Sequence, residues 1–368
     1  MVTPPYVARP FRLEPFRALM LSPSRVGDPA SARAFARPYR DVARRLQRWE
    51  QQGHLHHDSE PAVYLHEYAA AGMTVRGLVG ALDLSSRAHR LEDRVVYPHE
   101  GIHPVQAGEL ADRMTEMEMN PAPILLVHRG PDAVRELLQA VLSRPADHEF
   151  DDRNGDHHRV WAVRDKATLA ELSELLADSR ALLADGHHRY AAYLRMQEAA
   201  PGTAADRGLA MLVDQDDTPL FLGAIHRTLV GTTLEALHKA AASAGVFTAR
   251  SSADAVAALA PGTIVVTDGE EWATLALDLP VGTAAVEVLH GSVLPALDRQ
   301  PDRVEHHHSV DDTLRRLPRT GGVAVLMPAI EFDTVQRIVG GDRLLPEKAT
   351  SFQPKPSMGV LMRSLRDG

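Results

Sequence analysis

The chain has no cysteine in 368 residues. Disulfides, thiolate zinc sites and cysteine nucleophiles are excluded at once, and a cytoplasmic setting is the expectation. Long apolar runs are missing too. No segment approaches the roughly 18 apolar residues of a membrane span, and the opening stretch MVTPPYVARPFRLEPF lacks the apolar centre of a secretory signal. Basic runs are also absent. The formal charge is −9, whereas a duplex-binding protein needs a cationic face that releases counterions. The sequence therefore predicts neither a nucleic-acid partner nor a membrane.

What is present reads as an α/β (α+β) protein. Composition is ordinary for a globular chain, at 44% hydrophobic and 24% charged, and the length suggests two domains. Residues 1–229 form the first. It holds strand patterns AVYLHEY and VRGLVGALDL around a short turn, buried runs APILLVH and RALLAD, and helical patterns GELADRMTEMEM, PDAVRELLQAVLSR and KATLAELSELLADS. Residues 32–52 carry a helical period from Val42 through Leu46 to Trp49, despite Pro38. LFLGAIHRTL reads as one strand. Residues 230–345 restart an α/β pattern and form the second domain. Residues 346–368 are a Pro- and Lys-containing tail. Its apolar run at 358–362 predicts that it packs back on the first domain.

The 19 histidines gather in clusters: HLHH at 54–57, DHHR at 156–159, GHHR at 186–189 and HHH at 306–308. Neither HLHH nor HHH has the spacing of zinc ligands, and successive histidines diverge on any regular element, so both read as surface. DHHR follows Asn154-Gly155, a strong hairpin signal, and reads as the exposed return strand. GHHR differs. Asp185-Gly186 separates a buried strand from the helix HHRYAAYLRMQEAA. A helix start carries free N–H groups and partial positive charge, and a preceding glycine lets a ligand approach the backbone. Phosphates bind at such places. Gly186, His187, His188 and Arg189 are the candidate cradle, since a guanidinium can grip two phosphate oxygens. Asp185 can hold Mg2+, orient a histidine or cap the helix. Glu100, between His99 and His103, is a candidate general base. Lys348 and Lys355 are candidate phosphate binders from the tail.

PFRAL at 15–19, HE at 99–100, NPAPIL at 120–125, ADGHHRYAA at 184–192, HRTL at 226–229 and PEKATSFQPKPSMGVL at 346–361 resemble, in order, the motifs of the domain-of-unknown-function-1015 proteins. Within that family the DGHHR segment resembles the phosphate-binding strand–turn–helix of the ParB/sulfiredoxin superfamily. That group includes free-serine kinases using ADP or ATP. The resemblance implies a ParB/sulfiredoxin-like first domain with insertions, and phosphates held by Gly186, His187, His188 and Arg189. It implies Glu100 as the base that activates a small hydroxy amino acid such as L-serine. Arg189 and His188 would stabilise the transferring group, and Mg2+ would bridge phosphates through Asp185. The chain departs from the family pattern in lacking PPYDV and in carrying Gly101-Ile102 where Lys-Thr is usual. A nucleotide or phosphometabolite binder without turnover is therefore the alternative. A histidine metal site with hydrolase chemistry ranks last.

Overall fold

The computed structural model describes residues 1–36 and 42–367. The chain divides into two compact units, Met1–Leu220 with Pro354–Gly368, and Phe221–Gln353.

The first unit is built on a nine-stranded mixed sheet. Its strands are β1 (Leu13–Glu14), β2 (Val63–Ala70), β3 (Met73–Asp83), β4 (Val96–Pro98), β5 (Ile124–His128), β6 (His148–Asp151), β7 (His157–Val163), β8 (Ala181–Asp185) and β9 (Arg207–Asp214). The order is β4-β8-β5-β9-β3-β2-β7-β6, with β1 added on β3. Two neighbouring pairs are parallel, β4 with β8 and β5 with β9; the others are antiparallel. β5 and β8 are unbroken apolar runs because both lie inside the sheet, covered on both faces. The β2–β3 hairpin turns at Ala71-Gly72, whose φ values of 52° and 76° suit a twist-matched two-residue loop. Helices α1 (Pro104–Met117) and α2 (His187–Ala199) pack on each other. No helix among the described residues is long and apolar enough to cross a membrane.

The second unit carries a six-stranded, wholly antiparallel sheet that includes His226–Val230, Arg303–His307 and Val323–Leu326. The chain segments differ here from the sequence expectation. LFLGAIHRTL is two strands: Phe221–Ala224 pairs with Thr350–Gln353, while His226–Val230 enters the six-stranded sheet. The units therefore part at 220/221 and 353/354, not at 229 and 345. Only the last part of the tail joins the first unit. There Met362–Ser364 adds a strand between Ala18–Leu21 and Met119–Asn120, and Val360, Leu361 and Met362 are buried.

Three further expectations change. The helical period at 32–52 appears as helices Pro29–Ala36 and Val42–Gln51; Pro38 lies outside the described residues. DHHR does sit on the return strand of the Asn154-Gly155 hairpin, but β7 pairs on both sides and is interior. His158 is consequently fully buried, stacked on Phe150 and His66. His306 and His307 of HHH end the strand Arg303–His307, with His308 exposed just beyond it, and His307 is buried against the hydroxyl of Thr228 at 3.0 Å.

Candidate functional site

The strand–turn–helix at 181–199 is where the first unit brings its polar groups together. β8 is buried from Ala181 to Ala184. Its pairing with β5 slips between Leu183 and Asp185, a bulge that re-aims the strand end. Gly186 follows with φ of 90°. A Cβ there would lie 3.1 Å from both Arg189 Nε and Ile124 Cγ2, so conformation and space both require glycine. α2 then begins, its first turn closed by the Tyr190 N–H on the Gly186 carbonyl at 2.8 Å. No side chain caps this helix start. Asp185 is not its N-cap; Gly186 is.

The parallel pairing of β4 with β8 sets the second component. Pro98 lies opposite Leu183, so His99 and Glu100 emerge beside Asp185. His99 is buried and bonds the Leu183 carbonyl through Nδ1 at 2.7 Å. A carbonyl only accepts, so Nδ1 carries the proton. Burial pushes the His99 pKa down, against the opposing pull of Glu100, the Leu183 carbonyl and Asp185. Its Nε2 stands 3.7 Å from Glu100 Oε1, and the Glu100 side chain is 13% exposed.

His187 and His188 do something the motif did not suggest. The His99 N–H donates to His187 Nε2 at 3.4 Å, and the His103 N–H donates to His188 Nε2 at 3.0 Å. The His99 and His187 rings meet edge-on, and those of His103 and His188 stack at 5.9 Å. Each Nε2 therefore presents a lone pair, and each imidazole is the neutral Nδ1–H tautomer. The two histidines tie the 99–103 loop, and Glu100 with it, to the head of α2.

The charges complete the corner. Arg189 donates to Asp185 Oδ2 at 2.7 Å and to the Pro123 carbonyl at 2.5 Å. Lys355 from the tail donates to Asp185 Oδ1. Burial opposes ionisation of Asp185, but Arg189 and Lys355 outweigh it and hold the carboxyl below its usual range. Both oxygens of Asp185 are thus engaged by cations. No three His, Asp or Glu side chains among the described residues gather as metal ligands. Asp185 in this arrangement fits a role in orienting cations better than one in holding Mg2+.

Glu100, Asp185, Gly186, His187, His188, Arg189 and Lys355 all belong to this corner of the first unit. Lys348 belongs to the second unit, where it adopts φ of 57° and its carbonyl accepts from Arg227 at 2.9 Å. The Pro123 carbonyl was missed by sequence reasoning. Only its place in NPAPIL, a strand lead-in, hinted at it.

Fold and corner together define a mixed α/β protein with an uncapped, glycine-led helix start flanked by two cations. The chain belongs to DUF1015, a family described as protein of unknown function, whose model matches residues 8–300. No curated protein matches it. Among solved structures it is similar to SbnI with C-terminal truncation from Staphylococcus aureus. That match has 12% identity and a TM-score of 0.45, covering 78% of this chain and 88% of that one. A conserved hypothetical protein from Pyrococcus furiosus matches at 13% identity and a TM-score of 0.43, over 79% and 96% of the two chains. Free serine kinase in complex with AMP matches at 12% identity and a TM-score of 0.42, over 77% and 92%.

Proposed function

We propose that the protein is a nucleotide-dependent phosphotransferase acting on a small hydroxy amino acid such as L-serine. ATP or ADP binds with its phosphates on the turn 186–189, in the manner of the ParB/sulfiredoxin strand–turn–helix. The N–H groups that open α2, where no side chain caps the helix, meet the phosphate oxygens. Arg189 and Lys355 turn from Asp185 toward the anion, and Asp185 keeps both cations within reach. Glu100 accepts the proton of the substrate hydroxyl. The hydroxyl oxygen bonds the terminal phosphorus, and the bond from phosphorus to the departing ADP or AMP breaks. Catalysis of this kind is mostly positioning and charge stabilisation. Mg2+ arriving on the nucleotide supplies charge neutralisation, as it commonly does with few protein ligands.

The observation that carries this reading is the convergence on one corner of an uncapped helix start, two cations and a partly accessible carboxylate. Phosphorus NMR of the protein with ATP or ADP, Mg2+ and L-serine tests it. Phosphoserine and the shortened nucleotide are the expected products; absence of both removes the kinase reading.

A second reading, nucleotide or phosphometabolite binding without turnover, is favoured by one observation. Gly101 and Ile102, both buried, follow Glu100 and bring neither hydroxyl nor cation to the acceptor side. A nucleotide-induced rise in Tm with no product distinguishes it.

A further inference from the structure

A cavity of about 320 Å3 in the first unit is lined by Glu14, Phe16, Arg17, Arg207, Arg363 and Asp367, among others. These residues come from both ends of the chain and from the start of β9. Arg363 is the unusual member. It is only 3% exposed. Its guanidinium donates to Asn120 Oδ1 at 3.2 Å, to the Arg207 carbonyl at 3.0 Å and to the Ala204 carbonyl at 2.8 Å. Every one of these acceptors is neutral. The two carboxylates in the wall are engaged elsewhere, Glu14 with Arg207 and Asp367 with His57 at 2.8 Å. Arg17 stands exposed at the rim, and no carboxylate pairs with it or with Arg363 among the described residues.

A buried cation hydrogen-bonded only to neutral acceptors is costly, because neutral dipoles replace only part of its lost hydration, and Glu14 and Asp367 act on Arg363 without pairing directly with it. Burial does push the Arg363 pKa down, to about 10, yet the group stays charged at neutral pH. The remedy for such a charge beside a cavity is an anion from solution. The wall fits one: three guanidinium groups face two carboxylates, leaving net positive charge, with Phe16 and Ala81 as an apolar floor. The volume stands at the small end of ligand pockets, which begin at about 300 Å3.

We infer that this cavity binds a small oxyanion with a compact carbon body, a carboxylate or a phosphate monoester, gripped by Arg363 and Arg17. Guanidinium forks match both groups, donating two parallel N–H bonds. The inference is independent of the nucleotide corner, which uses other residues.

Thermal unfolding of the full chain tests it, with succinate and inorganic phosphate as separate probes. At least one of them raises Tm by about 2 °C or more at saturation, and the probe that does so names the oxyanion class. The Arg17→Gln variant weakens that probe's apparent affinity at least about threefold, the loss of one exposed charge-assisted contact. The shift persists in Arg189→Ala, which disables the other corner. Arg363→Met, of similar reach, abolishes it. If neither probe shifts Tm, or if Arg17→Gln responds as the unaltered protein does, the inference is overturned. The Arg17 variant decides the matter even should the Arg363 variant fail to fold.

Discussion

Asp185 and Lys355 lie 170 residues apart in the chain and meet as an ion pair, with Arg189 on the other oxygen of the same carboxylate. One anion thus holds two cations beside the uncapped start of α2. Without it, two like charges would share a partly buried space with nothing to balance them. With it, both cations are held beside the helix start, within reach of the phosphate that the proposed function places there.

Asp185→Asn removes the charge and keeps the shape. Its cost at neutral pH is about 1.5–3 kcal/mol, the range for hydrogen bonds to charged groups. The sign with pH follows from the lowered carboxyl. A depressed folded value contributes stability that is fully present above the unfolded value of about 3.9 and is lost as pH falls through the lower folded value. Denaturant titrations of both proteins should therefore diverge at pH 7, the gap closing only as pH falls below about 3.9 toward the lower folded value. A constant gap down to pH 2 would contradict the ion-pair account.

Two glycines with similar φ separate strain from space. Gly155 has φ of 84° and nothing within 4 Å of a built Cβ; Gly186 has φ of 90° and three atoms at 3.1 Å. Gly155→Ala costs about 1–2 kcal/mol, the penalty for left-handed backbone. Gly186→Ala costs more, because Arg189 or Ile124 must also move, and under the proposed function it weakens nucleotide binding as well. Equal losses of stability in the two variants would show that the turn at 186 is not sterically confined.

Part of this architecture was legible in residue order. The runs ILLVH and ALLAD announced interior strands, and Asn154-Gly155 announced its hairpin. The glycine-led turn before HHRYAAYLRM stood out because strand and helix periods meet there. Other features depend on pairing partners that lie far along the chain. His158 is buried because β7 has neighbours on both sides. Ile225 interrupts LFLGAIHRTL because its two halves pair with different strands. Glu100 comes to the end of β8 only through the parallel β4–β8 register, which sets Pro98 opposite Leu183. Nor does any pattern of letters tell that His187 and His188 accept backbone N–H groups, since that follows from the path of the 99–103 loop.

Glu100→Gln keeps the shape and polarity of a largely buried side chain and removes the proposed base. Under the kinase reading, phosphoserine formation falls by about 100-fold or more, as loss of a general base typically does, while the nucleotide-induced rise in Tm stays. Arg189→Ala gives the opposite pattern, losing the nucleotide shift itself. If Glu100→Gln turns over normally, the proton goes elsewhere.

The second unit is sensitive to acid for a separate reason. Burial and the nearby charge of Arg227 push His226, His290 and His306 down to about 4. His226 uses its neutral form structurally, accepting the Met327 N–H on Nδ1 at 3.0 Å. In the unfolded chain these histidines take protons from about pH 6.5 downward. Between that value and about 4 the unfolded state binds more protons than the folded one, so stability falls as pH drops through this window and levels off below it. Thermal melts from pH 8 to pH 3.5 should show Tm nearly flat above 7 and declining from about 6.5. His306→Gln, which cannot take up a proton, should flatten that decline. If the slope is unchanged in His306→Gln, His306 is not neutral in the folded protein, and the assigned effect of Arg227 on it is wrong.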